Sequence, residues 1–222
     1  MFVQSAKFVE NHSGNINDIS IYGQDSNPTT WKLAQMNLAI RGIEPDLGKY
    51  AADTFLDDQH PTMRADYIMA NPPFNLSNWG AEQLKDDVRW QYGMPPASNA
   101  NFAWLQHMIK SMNPKTGRCA VVLPQGVLFR SGKEGEIRKH LVESDKLEAI
   151  ITMASGVFYS TGVSACILFL NNDKAPEHRG RICMIDGSGI YTPQRAQNIM
   201  TEEDIQTLSL IHISEPTRRR GI

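Results

Sequence analysis

The sequence has no long apolar run, no cysteine pattern typical of a metal site and no signal peptide. No segment is long enough to span a bilayer, and Glu10 lies where a signal peptide would keep its apolar core. Cys119, Cys166 and Cys183 lie in apolar stretches without C-x-x-C or Cys/His spacing, which argues against disulfides and zinc. These absences exclude membrane-spanning and exported classes, and they favour a cytoplasmic protein without a bound metal.

An excess of basic charge is also lacking. The 222-residue chain has 22 Lys and Arg against 24 Asp and Glu, a formal net charge of -2. The surface as a whole is therefore not expected to attract phosphates, and any contact with nucleic acid must be local or supplied by a partner. The length is compatible with a single domain that buries one sizeable core.

What the sequence does contain is an alternation of short apolar runs with segments of helical spacing. This alternation predicts an α/β fold with a parallel sheet covered by helices on both faces. The predicted helices are Phe2–Asn11, Asn27–Gly42, Asn101–Gly117 and Glu134–Ser144, and the predicted strands are Asp18–Asp25, Lys49–Phe55 (a weak pattern), Ala65–Ala70, Arg118–Pro124, Leu147–Met153, Ser164–Asn171 and Arg181–Gly187.

Polar residues follow the first three predicted strands, where ligands gather in such folds. Asp25 ends the first strand and Asp53 follows the apolar part of the second, with Gln24 and Thr54 beside them. A carboxylate at a strand end can accept hydrogen bonds from both hydroxyls of a ribose, and a second one can accept from an adenine amine. These residues are candidates for a nucleoside-binding site, although either aspartate taken singly is equally a loop or helix-cap residue.

The third strand ends in the turn Asn71-Pro72-Pro73-Phe74. Methylation of an exocyclic amine requires acceptors that hold the amine hydrogens, and the Asn71 side-chain oxygen and the Pro72 carbonyl can serve. Phe74 can stack on a planar base swung out of a duplex. The same residues are also ordinary turn formers. Their position after a strand, downstream of two predicted strands that each carry an aspartate near the end, favours a catalytic role.

These residues resemble the catalytic motif of amino-group methyltransferases that use S-adenosylmethionine, in the order found in the adenine-specific group. Together with "GQDSNPTTWKLAQMNLAIRG", "GRCAVVLPQGVLFR" and "GVFYSTGVSACILFLN", they resemble the modification subunit of type I restriction-modification systems. The resemblance implies that Asp25 binds the cofactor ribose and Asp53 the cofactor adenine, and that residues 71–74 form the target-base site. It also implies that Phe158, in the loop between Gly156 and Gly162, is a second aromatic against the flipped base. Anchoring of that loop by Phe158 is an equal alternative.

The resemblance further implies a Rossmann-like methyltransferase fold, mostly parallel, with a C-terminal antiparallel hairpin. It implies partners as well: DNA, a specificity subunit, a restriction subunit and a second copy of the modification subunit. The glycine-rich cofactor loop and first strand of the family are missing from the sequence, and Gly187 and Gly189 are rejected as a substitute because no helix pattern follows them. The expected division is a catalytic domain over residues 1–190, an extension over 191–208 and a non-native-looking tail over 209–222, whose arginines at 218–220 are alternatively a basic arm for DNA.

Two classes of function remain open. The first is catalysis of adenine-N6 methylation in DNA, with cytosine N4, RNA guanine and protein glutamine as alternative substrates of the same proline motif. The second is an inactive fragment that retains only partner binding. Binding of S-adenosylmethionine by the chain distinguishes the two classes.

Overall fold

The structure, a computed structural model, describes residues 1–12, 14–15, 19–158, 162–195 and 197–214, and only the backbone of 210–214. The chain divides into two compact units, residues 1–63 and the segment from Arg64 onward. No helix within the described ranges is long and apolar enough to cross a membrane.

Among its described residues, the first unit contains two helices and a two-stranded parallel sheet. Its elements are α1 (Phe2–Asn11), β1 (Ile21–Tyr22), α2 (Pro28–Ala39) and β2 (Pro45–Asp46). The Asn27 side chain caps α2 by accepting hydrogen bonds from the N–H groups of Thr29 and Thr30, as predicted for an Asn-Pro helix start. Apolar residues from both helices and the sheet form a small core: Ala6, Ile21, Leu38, Ile43 and Leu47.

The second predicted strand, Lys49–Phe55, is wrong. The strand of this region is β2, which pairs with β1 through Ile21 opposite Pro45 and Tyr22 opposite Asp46. Between Lys49 and Phe55 the described backbone makes one backbone–backbone hydrogen bond to the loop after β1, from Ala52 N–H to the Asp25 carbonyl at 3.1 Å. A single bond does not form a ladder, and the chain then turns at Asp53.

The second unit contains a mixed five-stranded sheet. Its elements are β3 (Tyr67–Ala70), α3 (Asn101–Ser111), β4 (Arg118–Pro124), α4 (Lys133–Glu143), β5 (Leu147–Met153), β6 (Ala165–Asn171), β7 (Cys183–Gly187), β8 (Thr192–Pro193), β9 (Asn198–Ile199) and α5 (Glu202–Ser214), with single 3₁₀ turns at Ala81–Leu84, Gln125–Leu128 and Pro176–His178. The helix and strand predictions from Ala65 to Gly187 are confirmed apart from differences at their ends, the largest at α3, which ends at Ser111 and not at the predicted Gly117.

The strand order of this sheet is β3-β4-β6-β5-β7. β3 runs parallel to β4 and β5 runs parallel to β7, whereas β6 is antiparallel to both of its neighbours. Only eleven residues connect β5 to β6, and no helix lies among those described, so β6 returns beside β5 in the opposite direction. The α/β class is confirmed, and β8 and β9 form an antiparallel hairpin near the C-terminal end.

The main core lies between this sheet and helices α3 and α4. Cys119, Val121 and Leu123 alternate along β4 on one buried face, and they pack in one cluster with Phe102 and Leu105 of α3. Folding removes most of the apolar surface of these large side chains from water. Burial of each one contributes about 1.5–3 kcal/mol to the stability of the fold. The core therefore holds α3 and the end of β4 rigidly beside the turn that follows β3.

Gly187 at the end of β7 has a packing role. A Cβ atom there would lie 2.7 Å from the Thr152 carbonyl oxygen and 2.8 Å from Leu208 of α5. A turn and then β8 follow it, with no helix at this point, in agreement with its rejection as a cofactor loop. α5 runs across the predicted boundary between residues 208 and 209, and residues 215–222 lie outside the described part of the chain.

Candidate functional site

The Asn-Pro-Pro-Phe turn begins directly after β3. Asn71 is exposed, and its side chain makes no hydrogen bond to the described residues. Pro72 is buried, and its carbonyl oxygen likewise accepts no bond from the described part of the chain. Because proline fixes φ and has no N–H, the turn holds its shape without a ladder hydrogen bond. It therefore presents two oxygen acceptors that can hold the hydrogens of an amine.

An aromatic pair lies next to these acceptors. The half-buried rings of Phe74 and Phe158 meet edge to face, with centroids 6.3 Å apart and ring planes at 71°. Edge-to-face contacts at this distance are a favourable aromatic geometry. The structure thus brings Phe158 to the predicted target-base turn, as the sequence interpretation requires. Residues 159–161 of the same loop lie outside the described residues.

Three residues at this turn were missed by the sequence analysis. Asn75 follows Phe74 and has a left-handed backbone, with φ of 53°. Its side-chain oxygen accepts hydrogen bonds from Asn101 Nδ2 and from Arg130 Nη1, both at 3.0 Å. The only local signal was an asparagine directly after the turn, since asparagine tolerates this backbone conformation better than most residues. Its partners lie 26 and 55 positions away, so one sequence could not reveal them.

The predicted nucleoside-binding aspartates lie in two loops of the first unit. Asp25 Oδ1 accepts a hydrogen bond from Asn27 N–H at 2.7 Å. Asp53 Oδ1 accepts from the N–H groups of Phe55 and Leu56, at 2.8 and 3.2 Å. Both carboxylates therefore shape their own loops, as the alternative interpretation states. Neither Oδ2 atom has a hydrogen-bond partner within the described ranges, so each aspartate keeps one acceptor for a ligand hydroxyl or amine.

Gln24 ties these two loops together. Its Nε2 donates to the carbonyls of Ala52 and Asp57, at 3.0 and 2.7 Å, and its Oε1 accepts from Gln59 N–H at 2.9 Å. Both ends of this amide are thus engaged within the first unit. Thr54 follows Asp53 in the same turn. The structure brings the four predicted cofactor-binding residues together on adjoining loops.

Two of the cysteines are unreactive because they are buried. Burial raises the pKa of the Cys119 and Cys166 thiols to about 12, so both stay protonated near neutral pH and are poor nucleophiles. All three cysteines are free thiols. Within the described residues, no group of three or more His, Cys, Asp or Glu side chains could hold a metal ion. The remaining candidate chemistry is that of hydrogen-bond acceptors beside an aromatic pair.

Comparison with known proteins agrees with this chemistry. The family model for N-6 DNA methylase matches residues 1–218. The chain belongs to the N-6 DNA methylase family. This family assignment includes the fold, since the methyltransferase subunit of a type I restriction-modification system from Streptococcus thermophilus superposes with a TM-score of 0.79. That structure is 30% identical in sequence, and the match covers 88% of this chain and 42% of the other.

Two relatives in the family are methylase subunits of type I restriction enzymes. The HindI methylase subunit of Haemophilus influenzae is 47% identical over 94% of this chain and 47% of its own length. The MjaIX methylase subunit of Methanocaldococcus jannaschii is 37% identical over 93% of this chain and 38% of its own length. The chain therefore spans less than half the length of these relatives.

Proposed function

We propose that this chain contributes the target-base and nucleoside-binding sites of an adenine-N6 DNA methyltransferase, the modification subunit of a type I restriction-modification system. The observation that carries the proposal is the turn after β3, where an unengaged Asn71 side chain stands beside the contact between Phe74 and Phe158. Family membership and the names of the relatives support the same activity.

In this proposal, Asn71 Oδ1 and the Pro72 carbonyl oxygen accept the two hydrogens of the adenine amine. Their hydrogen bonds favour a pyramidal amine with a localised lone pair, which is the nucleophilic form. Phe74 stacks on the flipped base and holds it in place while Phe158 contacts it from the loop after β5. The amine nitrogen forms the new N–CH3 bond as the S–CH3 bond of the methyl donor would break, leaving a neutral thioether, and the extra proton on the nitrogen passes to solvent water.

The proposed cofactor is S-adenosylmethionine, which supplies the methyl group when bound. Asp25 Oδ2 would accept from the ribose hydroxyls and Asp53 Oδ2 from the adenine amine. The observation that supports this fit is the set of acceptors: the Oδ2 atom of each aspartate has no partner within the described part of the chain, while Oδ1 shapes the loop. Gln24 supports the two loops that carry these carboxylates, and Thr54 directly follows Asp53.

Partners follow from the relatives, which are named as subunits. We propose that the chain acts on DNA in the cytoplasm, together with a specificity subunit, a restriction subunit and a second copy of the modification subunit. A net charge of -2 supports this arrangement, because a chain without excess basic charge depends on a partner for much of its DNA affinity.

The proposal is tested by methylation of DNA with S-adenosylmethionine labelled in its methyl group, using the modification subunit assembled with its specificity subunit. Asn71→Ala should lower kcat by about 10²–10³-fold, as loss of one preorganised hydrogen-bond partner does elsewhere, and leave cofactor affinity within a few-fold. Asn11→Ala, an exposed asparagine of α1, is the control.

Mass spectrometry of the labelled nucleosides identifies the product. N6-methyladenine supports the proposal, whereas label in N4-methylcytosine, RNA or protein would assign a different substrate to the same turn. Wild-type kcat in Asn71→Ala would contradict the proposed site altogether.

A further inference from the structure

The backbone at Asn75 requires a specific residue type and specific partners. A non-glycine residue at φ of 53° is uncommon, and asparagine is among the residues that adopt this conformation at low cost. Asn75 directly follows Phe74, so its backbone conformation sets the direction in which the chain leaves the target-base turn. Any group that fixes Asn75 therefore acts on the orientation of the Phe74 ring.

From one side, the start of α3 holds Asn75 by two hydrogen bonds and the next residue, Leu76, by a third. Asn101 Oδ1 accepts from Asn75 N–H at 3.0 Å, and Asn101 Nδ2 donates to Asn75 Oδ1 at 3.0 Å. Ala100 N–H donates to the Leu76 carbonyl at 2.9 Å. Asn101 is only 1% exposed and is the first residue of α3, whose apolar face lies in the main core. The side-chain amide of Asn101 therefore ties the turn to α3, whose position is fixed by the main core.

From the other side, Arg130 reaches Asn75 from the segment after β4. Its Nη1 donates to Asn75 Oδ1 at 3.0 Å. The guanidinium packs where Gly126 lacks a side chain, because a Cβ there would lie 2.9 Å from Arg130 Nε. Arg138 of α4 donates to the Val127 and Arg130 carbonyls, at 3.1 and 2.9 Å, and so holds the segment that carries Arg130.

The charge of Arg130 is balanced locally. Glu134, 7% exposed, lies 3.8 Å from Arg130 Nη1 through its Oε1. Within the described part of the chain, this Oε1 accepts no hydrogen bond. Two groups therefore position the Arg130 guanidinium: Asn75 Oδ1 accepts its hydrogen bond, and Glu134 makes a longer ionic contact with it.

We propose that Asn101 and Arg130 are positioning residues for methyl transfer, and that they orient the target-base turn by holding the Asn75 side-chain oxygen between them. The inference rests on the proposed function of the turn. The two ends of the turn differ in a way that suits this role: Asn71 is unengaged at the reacting end, whereas Asn75 is held at the other end by two separate parts of the fold. A displacement of about 1 Å at a reacting centre costs up to about 100-fold in rate, so positioning of this kind is measurable.

The test changes Asn75 and Arg130, because replacing the buried Asn101 risks unfolding the chain. Asn75→Gly keeps the left-handed backbone and its N–H bond to Asn101, and removes only the oxygen that Asn101 and Arg130 share. Asn75→Asp keeps an acceptor for both donors and serves as the conservative rescue. Arg130→Gln shortens the donor, and Arg118→Gln, an exposed arginine at the start of β4, is the control for loss of one positive charge.

The variants are assayed in the modification subunit assembled with its specificity subunit. The readouts are kcat, KM for S-adenosylmethionine, the melting temperature, and the emission of a fluorescent adenine analogue placed at the target position. Asn75→Gly and Arg130→Gln should each lower kcat by about 10- to 100-fold and reduce the flipped-base emission, while KM for the cofactor stays within a few-fold. Asn75→Asp should retain most of the activity, and Arg118→Gln should behave as wild type.

A merely structural role predicts a different result, in which the melting temperature falls but kcat of the folded protein stays unchanged. Wild-type kcat and emission in both Asn75→Gly and Arg130→Gln, alongside an inactive Asn71→Ala, would overturn the positioning role and leave the proposed function intact. An Arg130→Gln effect equalled by Arg118→Gln would likewise overturn the role of Arg130. Full activity in Asn71→Ala would instead remove the proposed function.

Discussion

The rings of Phe74 and Phe158 touch edge to face, with their planes at 71° and their centroids 6.3 Å apart. A base stacked between two rings needs both ring planes parallel to it, with a separation of about 3.5–4 Å on each side. In the observed geometry a base can lie flat on only one ring at a time. Phe74, which belongs to the turn itself, is the ring we expect to stack, and Phe158 is the ring we expect to move or contact an edge.

Replacement of Phe74 should therefore weaken capture of the flipped base. Stacking contributes about 1–3 kcal/mol per base, so Phe74→Ala should reduce the flipped-base emission of a fluorescent adenine analogue strongly. Phe74→Trp should retain part of it, because stacking tolerates a change of ring. Phe129, 72% exposed, provides the control Phe129→Ala. Equal emission from Phe74→Ala and wild type would show that Phe74 does not stack on the base.

The sequence leaves two roles open for Phe158, contact with the flipped base and anchoring of its loop, and Phe158→Ala distinguishes them. If it contacts the flipped base, Phe158→Ala lowers the analogue emission and raises KM for DNA with little change in melting temperature. If it anchors its loop, the same variant lowers the melting temperature and leaves the emission of the folded protein unchanged. Its contact with Phe74 leads us to expect the first outcome, with a smaller effect than that of Phe74→Ala. A thermal scan beside the emission measurement decides between them.

Substitution of each aspartate by asparagine distinguishes a role in cofactor binding from a role in loop structure alone. Asp25→Asn and Asp53→Asn keep the Oδ1 acceptor that shapes each loop, but they replace the unengaged Oδ2 acceptor by an amide NH2 group, which donates. A hydrogen bond to a charged group contributes about 1.5–3 kcal/mol, so each variant should weaken S-adenosylmethionine binding by about 10- to 100-fold. Calorimetric titration measures this. Asp46→Asn, whose Oδ1 accepts from Gly48 N–H in a similar turn, is the control.

Unchanged cofactor affinity in both Asp25→Asn and Asp53→Asn would assign these carboxylates to loop structure alone. The melting temperature checks that the substitutions leave the loops intact. A large fall in the melting temperature of either variant would mean that the carboxylate, and not only its Oδ1, holds the loop.

The sequence predicts well those features that depend on neighbouring residues. Helix α3 and strand β4 have strong apolar spacing and are found at the expected positions. The prediction of a weak strand at 49–55 failed because β pairing depends on the partner strand. The partner, β1, pairs with Pro45 and Asp46, which lie before the predicted segment. The insertion of β6 between β4 and β5 is likewise a property of the assembled sheet.

The candidate site divides in the same way. Asn71 and Phe74 are predicted as site residues because proline-rich turns after a strand are unusual in sequence. The bonds of Asn75 to Asn101 and Arg130 join parts of the chain far apart, and an isolated asparagine or arginine carries no such signal. Local chemistry could therefore be predicted from the sequence, whereas the contacts that orient it required the fold.

An ion pair between a buried lysine and a partly exposed aspartate gives a prediction about stability. Asp145 Oδ1 lies 2.6 Å from Lys174 Nζ, and Asp145 Oδ2 accepts from Gly180 N–H at 2.9 Å. The Lys174 side chain is 3% exposed and that of Asp145 is 37% exposed. Burial acts to raise the pKa of Asp145, but the bonds from Lys174 and Gly180 outweigh it and hold this pKa below its ordinary value of 3.8.

Because the folded-state pKa of Asp145 is depressed, its stabilising contribution is present above pH 3.8 and is lost as the pH falls through the folded-state pKa. Asparagine suits the left-handed backbone at position 145, where φ is 55°. In Asp145→Asn, however, the side-chain NH2 group faces one of the two groups that donate to Asp145, Lys174 Nζ or Gly180 N–H. We expect a loss of about 1–3 kcal/mol in the free energy of unfolding near neutral pH.

Urea unfolding of the wild type and Asp145→Asn across the acidic range measures this loss. The difference between them should be constant down to about pH 4 and shrink below it, because protonation removes the charge from wild-type Asp145. Asp173→Asn, an exposed aspartate beside Lys174, should differ little from wild type at any pH. A gap between wild type and Asp145→Asn that does not change with acidification would show that the carboxylate charge contributes nothing, and that only the hydrogen-bond geometry around Lys174 matters.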